Sequence, residues 1–253
     1  MNPNMRFLRY SSVVFASLLT CPCMSQALRI ETIEGPPWGF VGSDGKVTGM
    51  MYEIGNLVAR KTGLSFKNSL APYARTAVDI ENGNVDIVLR FGNEHMARVA
   101  QPVAIIVSMP VILVGPSGTH YTSLSELRGK VVGFVRTSKY VEQFDSNTEI
   151  HKYAVNNYEQ MARMLASRRL DAGIASNVGL YYGALMAGVK PAQLGEPLVL
   201  GANDFVLFFS KKTAKPETVN AVSEAVTKLK LNGEIQKIID KYTDELAVKL
   251  PQS

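Results

Sequence analysis

The run Val85-Asp86-Ile87-Val88-Leu89 limits the fold more than any other stretch of the chain. Five residues suit a strand and are too few for a buried helix. The run is nearly all apolar, so it expects cover on both faces, and such strands belong to parallel sheets with helices above and below. The preceding residues agree. Thr76, Ala77, Val78 and Ile80 share a helix that closes at Glu81-Asn82-Gly83-Asn84, because Asn-Gly adopts the left-handed backbone that ends helices. The residues after the strand are polar and basic: Arg90, Phe91, Gly92, Asn93, Glu94, His95 and then Arg98. In open α/β sheets, ligands sit beyond the carboxyl ends of the strands. Tyr73 and Arg75 read as loop residues before the helix, and Arg90, Asn93 and Arg98 as loop residues after the strand. A parallel sheet brings both loops to one edge, and this clustering marks a candidate site.

The same alternation runs along the chain. Leu28–Ile33 reads as a strand, and Glu34–Phe40, with two prolines and two glycines, as a loop presenting Trp38. Trp38 either stacks on a ligand or covers the Pro36-Pro37 turn. Met50–Lys61 places Met51, Ile54, Leu57 and Val58 on one helical face, and Phe66–Leu70 is a second strand. Val103–Val114 is a long apolar run that leaves this first lobe. A second lobe on the same plan comes next, with strands at Lys130–Val135, Tyr153–Val155 and Leu170–Ala175. Its helices are expected at Lys139–Phe144, Tyr158–Ser167 and Val178–Ala187. Thr137 and Ser138 would cap the first of these, and free N–H groups at a helix start suit an anion. Phe205–Ser210 returns the chain as a strand, and Pro216–Leu231 and Glu234–Tyr242 close it as helices.

The amino terminus reads separately. Arg6 and Arg9, the apolar run Val13–Cys23 and the small-residue site Ser25-Gln26-Ala27 form a secretory signal peptide over residues 1–27, too short to span a bilayer. Lipidation at Cys21 is the competing reading, weakened because Thr20 is a poor residue to precede a modified cysteine. Both cysteines fall in that segment, so the exported chain has no thiol chemistry. At 46% hydrophobic and 19% charged the chain is globular. Removing Arg6 and Arg9 from its 27 basic residues leaves 25 against 22 acidic ones, too mild an excess for a nucleic-acid partner. No H-E-x-x-H or G-x-S-x-G occurs, and His95, His120 and His151 lie on separate loops or edges. Neither an enzyme, a metal nor a cofactor is expected.

Several motifs then stand in a recognisable order: PPWGF-x4-GKVTGM from Pro36, NGNVDIVL followed by Arg98, SELRGKVVGFVRTS from Ser125, RRLDAGI from Arg168, and KLKLNGEIQKIIDKY from Lys228. In this order and spacing the chain resembles solute-binding protein family 3, the amino-acid-type periplasmic receptors of ABC importers. The resemblance implies an α/β, two-lobe periplasmic binding protein type II fold with two strand crossovers as hinge. Its parts would be lobe 1 over 28–112, lobe 2 over 113–204, and a return to lobe 1 over 205–253. It further implies a monomer in the periplasm that closes on a small-molecule ligand and serves an ABC permease in the inner membrane. A membrane sensor as partner and a dehydratase-like enzyme on the same fold are the alternatives.

The resemblance places Arg98, twelve residues after Asp86, as the partner of a ligand carboxylate, which guanidinium matches two-pronged. It places Tyr73 against the ligand, and Thr137 and Ser138 as further carboxylate contacts. Two positions depart from the pattern. Five residues after Asp171, where amino-acid receptors carry an acid for the ammonium group, stands Ser176, followed by Asn177. Gly35 stands where many members carry an aromatic, with Trp38 close by. Arg90 is also unusual, standing where a small polar residue is commoner. With Arg75, Arg90, Arg98 and Arg136 against Glu34 alone, the expected ligand is anionic or polar and not a zwitterionic amino acid.

Overall fold

The computed structural model describes residues 27–136, 138–244 and 246. Most of the leader read at 1–27, including Cys21, lies outside the described residues, as does Thr137.

β1 (Leu28–Ile33) leads through a glycine-proline loop into the short ribbon β2 (Phe40–Val41) and β3 (Val47–Thr48). There follow α1 (Met50–Thr62), β4 (Phe66–Ala71), α2 (Tyr73–Asn82), β5 (Ile87–Phe91) and α3 (Glu94–Val99). A long strand, β6 (Ala100–Val114), leads into β7 (Val131–Val135), α4 (Glu142–Asp145), β8 (His151–Val155), α5 (Tyr158–Ala166), β9 (Ala172–Ser176) and α6 (Asn177–Met186). A second long strand, β10 (Leu198–Ser210), returns the chain to α7 (Pro216–Leu231) and α8 (Glu234–Thr243).

The sheet order is β4-β1-β5-β10-β6-β9-β7-β8. β1 pairs in parallel with β4 and β5, and β7 in parallel with β8 and β9, giving two blocks of one design. Between them β6 and β10 run antiparallel to each other. β10 joins β5 over Phe205–Phe209, while β6 joins β9 over Val111–Val114. The two long strands are therefore the crossings between the lobes.

Local chemistry explains the boundaries. α1 buries Met50, Met51, Ile54 and Val58, and it stops at Gly63 with φ 72°. α2 stops at Gly83 with φ 74°, the conformation that Asn82-Gly83 announces. Val222, Val226 and Leu229 of α7 and Ile235 and Ile239 of α8 join the same apolar cluster as Ile54 and Val58. α7 and α8 thus complete the first lobe. Among the described residues no helix is long and apolar enough to cross a membrane.

Several elements differ from expectation. α2 begins at Tyr73 and β5 runs on to Phe91, so Tyr73, Arg75 and Arg90, expected in loops, lie within a helix or a strand. The helix expected at Lys139–Phe144 is only Glu142–Asp145, preceded by Val141 in extended backbone at φ −131°. Tyr140, buried in the second-lobe core, holds the segment before it away from a helix. Ser138 therefore caps nothing, its amide donating instead to Val135 O in a turn. The loop expected after β5 contains α3, because Asn93 Oδ1 accepts the Met96 amide and starts a helix. β10 begins seven residues before Phe205, in a glycine-containing stretch whose pairing with β6 shifts register between Val199 and Gly201. There the partner strand overrides weak local propensity.

Candidate functional site

The carboxyl ends of β1, β4 and β5 face those of β7, β8 and β9 across a cavity of about 570 Å³. The first lobe contributes the residues that follow its strands: Glu34 and Trp38 after β1, Pro72 and Tyr73 after β4, and Phe91 at the end of β5. The second contributes Arg136, Ser138, Lys139 and Tyr140 after β7, Asn156, Asn157 and Tyr158 after β8, and Ser176 at the end of β9. Asn203 of the crossing strand β10 adds an amide, and its Nδ2 donates to Lys139 O at 3.3 Å.

The loop carrying Trp38 is held by its own backbone. Gly35 N donates to Gly39 O at 2.7 Å, and Trp38 O accepts from Met51 N and Tyr52 N at the start of α1. Gly49, at φ 125°, lies against it so closely that a Cβ there would stand 2.6 Å from Trp38 O. Trp38 is buried and packs edge-on against Phe91, ring centroids 5.2 Å apart, and against Phe205 at 5.6 Å. It therefore covers its own turn and also lines the cavity.

Tyr73 is the first residue of α2, and Arg75 lies two residues on, about 200° around the helix. Tyr73 faces the cavity, whereas the Arg75 side chain is 64% exposed and pairs with Asp79. Arg90 precedes Phe91 on β5, so their side chains take opposite faces of the sheet. Phe91 lines the cavity, and Arg90, 2% exposed, lies under α2. Its Nη1 donates to Tyr73 O at 3.0 Å and to Thr76 Oγ1 at 2.9 Å, and its guanidinium sits 3.8 Å from the centre of the Tyr73 ring.

Arg98, on which the sequence centres carboxylate recognition, does not reach the cavity. Met96 is the inward residue of α3, and Arg98, two residues further, turns away. Its side chain is 68% exposed and lies 3.9 Å from Glu94. The count of twelve from Asp86 holds, but the helix beginning at Asn93 turns that position outward. Asn93 is spent on the cap, with Nδ2 also donating to Tyr73 Oη at a long 3.5 Å. Asn177 is buried, and its Oδ1 accepts the Val178 amide. Of the twelve expected site residues, the structure gathers Glu34, Trp38, Tyr73, Arg136, Ser138 and Ser176 around the cavity. Arg75, Arg90, Asn93, Arg98 and Asn177 lie outside its lining, and Thr137 is outside the described residues.

Ser176 decides much of the chemistry. Its Oγ accepts the Gly179 amide as the cap of α6, and its hydroxyl donates to Tyr158 Oη at 3.4 Å. The Tyr140 hydroxyl adjoins that of Tyr158 and accepts the Val135 amide at 3.3 Å. Burial pushes both phenols up, so they present neutral hydroxyls at neutral pH. Glu34 is the one carboxylate lining the cavity among the described residues, against Arg136 and Lys139. No group of three or more His, Cys, Asp or Glu side chains converges on a possible metal position among the described residues.

Residues 28–245 match the model of the bacterial extracellular solute-binding proteins, family 3. The chain belongs to this family. A probable amino-acid-binding protein, YxeM of Bacillus subtilis (strain 168), is 24% identical over 210 residues, covering 80% of this chain and 78% of its own. The arginine-, lysine-, histidine-binding protein ArtJ from Geobacillus stearothermophilus superposes with TM-score 0.71 at 15% identity, over 90% of this chain and 97% of its own. A histidine kinase sensor domain with similarity to periplasmic binding proteins superposes with TM-score 0.74 at 18% identity, over 89% and 98%. At these identities the structural likeness establishes the fold alone, the two-lobe fold of periplasmic binding proteins. The family and these relatives are binding proteins and sensor domains.

Proposed function

We propose that this family 3 protein works in the periplasm, captures a small anionic or polar, carboxylate-bearing solute between its lobes, and delivers it to an ABC importer. The observation that carries the ligand class is the charge of the lining. Arg136 and Lys139 face a cavity with one carboxylate, Glu34, and Ser176 offers no counter-charge to an ammonium group. Its volume lies within the 300–1,000 Å³ range typical of small-molecule sites. The likeness to a histidine kinase sensor domain favours a second reading, in which a membrane sensor reads the closed form. The same cleft would serve both, and neighbouring permease and ATPase genes would favour transport.

The test is thermal unfolding of the exported chain, refolded to strip carried ligand, against amino acids, dicarboxylates and other small anions. A ligand at a hundred times its dissociation constant adds about 2.7 kcal/mol, worth roughly 5–10 °C for a chain of this size. Anions without an ammonium group are expected to raise the melting temperature, and a rise with ordinary amino acids alone would refute the ligand class. Arg136→Gln should weaken the best anion about tenfold, the loss of one partly solvated charge-assisted hydrogen bond. Arg98→Ala should leave its affinity within about twofold.

A further inference from the structure

Arg90 is the one buried cation among the described residues, and no carboxylate among them comes within ion-pair distance. A buried charge without a counter-ion is strongly unfavourable. Its hydrogen bonds do not account for the charge, since the acceptors are two carbonyls and a hydroxyl: Tyr73 O, Phe91 O and Thr76 Oγ1. A neutral amide could meet some of these at a smaller desolvation penalty. What the charge does face is an aromatic ring. The guanidinium lies 3.8 Å from the centre of the Tyr73 ring, and Tyr73 lines the solute cavity.

A cation against one face of a ring draws the ring's electron density towards itself. The ring then offers its free face poorly to another cation and well to an electron-rich, negatively charged π-system. Phe40 and Phe91 continue the aromatic wall beside it, and Arg136 and Lys139 stand on the other lobe. We propose that the site selects a flat anion, a carboxylate borne on an aromatic ring, with the ring over Tyr73 and the carboxylate towards Arg136 and Lys139. Arg90 is the specificity-determining residue and acts through Tyr73. This proposal rests on the cavity being the solute site, and it narrows the solute's class.

The experiment is isothermal titration of the refolded protein with benzoate, cyclohexanecarboxylate and benzylammonium. The first two share charge and approximate size but only benzoate has a π-face, and the third keeps the ring and reverses the charge. Wild type is expected to bind benzoate about tenfold tighter than cyclohexanecarboxylate, and to show no benzylammonium binding at about 10 mM. Arg90→Met should weaken benzoate about tenfold and let benzylammonium compete. Arg90→Gln, which retains an N–H donor towards Tyr73 O, gives the same reading if the methionine variant does not fold. A merely structural role for Arg90 would weaken every compound alike and leave the ratios unchanged, which overturns the proposal. Equal wild-type affinity for the two carboxylates, or a preference for benzylammonium, overturns it as well. No benzoate binding alongside a melting shift with a dicarboxylate or an amino acid overturns it while solute binding stands. Silence across both panels counts against both.

Discussion

Asp86→Asn keeps the size of the side chain and removes its charge from the joint between β5 and β1. In the native protein the carboxylate accepts from the Arg29 amide at 2.8 Å, from Nε at 3.1 Å and from Nη2 at 2.8 Å. Hydrogen bonds to a charged group contribute about 1.5–3 kcal/mol each when sheltered. The Arg29 side chain is 37% exposed, so solvent screens part of this and the expected loss is about 2–3 kcal/mol in all. That corresponds to a fall of roughly 5–10 °C in melting temperature. Urea unfolding across pH separates the charge from the geometry. Burial alone would raise the Asp86 carboxyl, but hydrogen bonds from the Arg29 side chain and amide outweigh it and hold the group below its ordinary value. A depressed value in the folded state means the contribution is present above the unfolded value, about 3.9, and is lost as pH falls through the folded one. The gap between wild type and variant should therefore be full at neutral pH and close in acid, below about pH 4. A gap that persists unchanged below about pH 3 would refute the ionised pairing. One under about 0.5 kcal/mol at neutral pH would refute the joint itself.

Two further substitutions probe the ends of the same framework. The Tyr242 hydroxyl of α8 donates to Glu53 Oε1 at 2.6 Å and accepts the Gly49 amide at 2.9 Å, tying α8 to the loop under Trp38. Burial, then Glu53, pushes this phenol up to about 12. Its contribution is therefore present below the unfolded value of about 10 and lost as pH rises through the folded one. Tyr242→Phe should lower stability by about 1 kcal/mol near neutral pH and flatten the alkaline loss, and an unaltered alkaline limb in chemical denaturation would count against it. Across the cleft, Phe40 of β2 and Tyr182 of α6 meet with ring centroids 6.1 Å apart. Such a pair is worth about 0.5–1.5 kcal/mol, so Tyr182→Ala should shift the ligand-free protein towards opening, seen as a larger radius of gyration in solution scattering. An unchanged radius would show that the pair does not hold the lobes together.

The elements that could be read from the sequence were those whose signals are local. β5 follows from a nearly all-apolar run, and the end of α2 from Asn82-Gly83, where the φ of 74° at Gly83 shows the expected chemistry. The position of Arg98 was not local in this sense. Its direction depends on whether the chain after Gly92 is loop or helix, which Asn93 decides by capping α3, and two residues along a helix reverse a side chain's facing. The same geometry separated Tyr73 from Arg75, once α2 was found to begin at Tyr73 itself. Arg90 shows the strand version, where one step from Phe91 puts it on the opposite face of the sheet. Asn156, Asn157 and Tyr158 are site residues with a legible signal in the sequence. They come directly after β8, and Asn157 caps α5, so they stand beyond a strand's carboxyl end in the second lobe as Tyr73 does in the first.

One rule applied twice explains why the two walls differ in character. Each lobe offers the ends of three parallel strands, but the residues beyond those ends are, Glu34 apart, largely aromatic and apolar in the first, and cations, amides and hydroxyls in the second. The first wall can be apolar because its cation, Arg90, is kept behind the ring of Tyr73. The second can tolerate Arg136 and Lys139 because both are exposed at its rim and keep their water until a ligand arrives. Closing such a cleft on a neutral apolar solute would strip those cations of water without return, and closing it on a cation would oppose three positive charges with Glu34 alone. On the proposed reading, an anion is the occupant for which closure restores what desolvation removes, since Ser176 carries no charge and is already committed to the cap of α6 and to Tyr158.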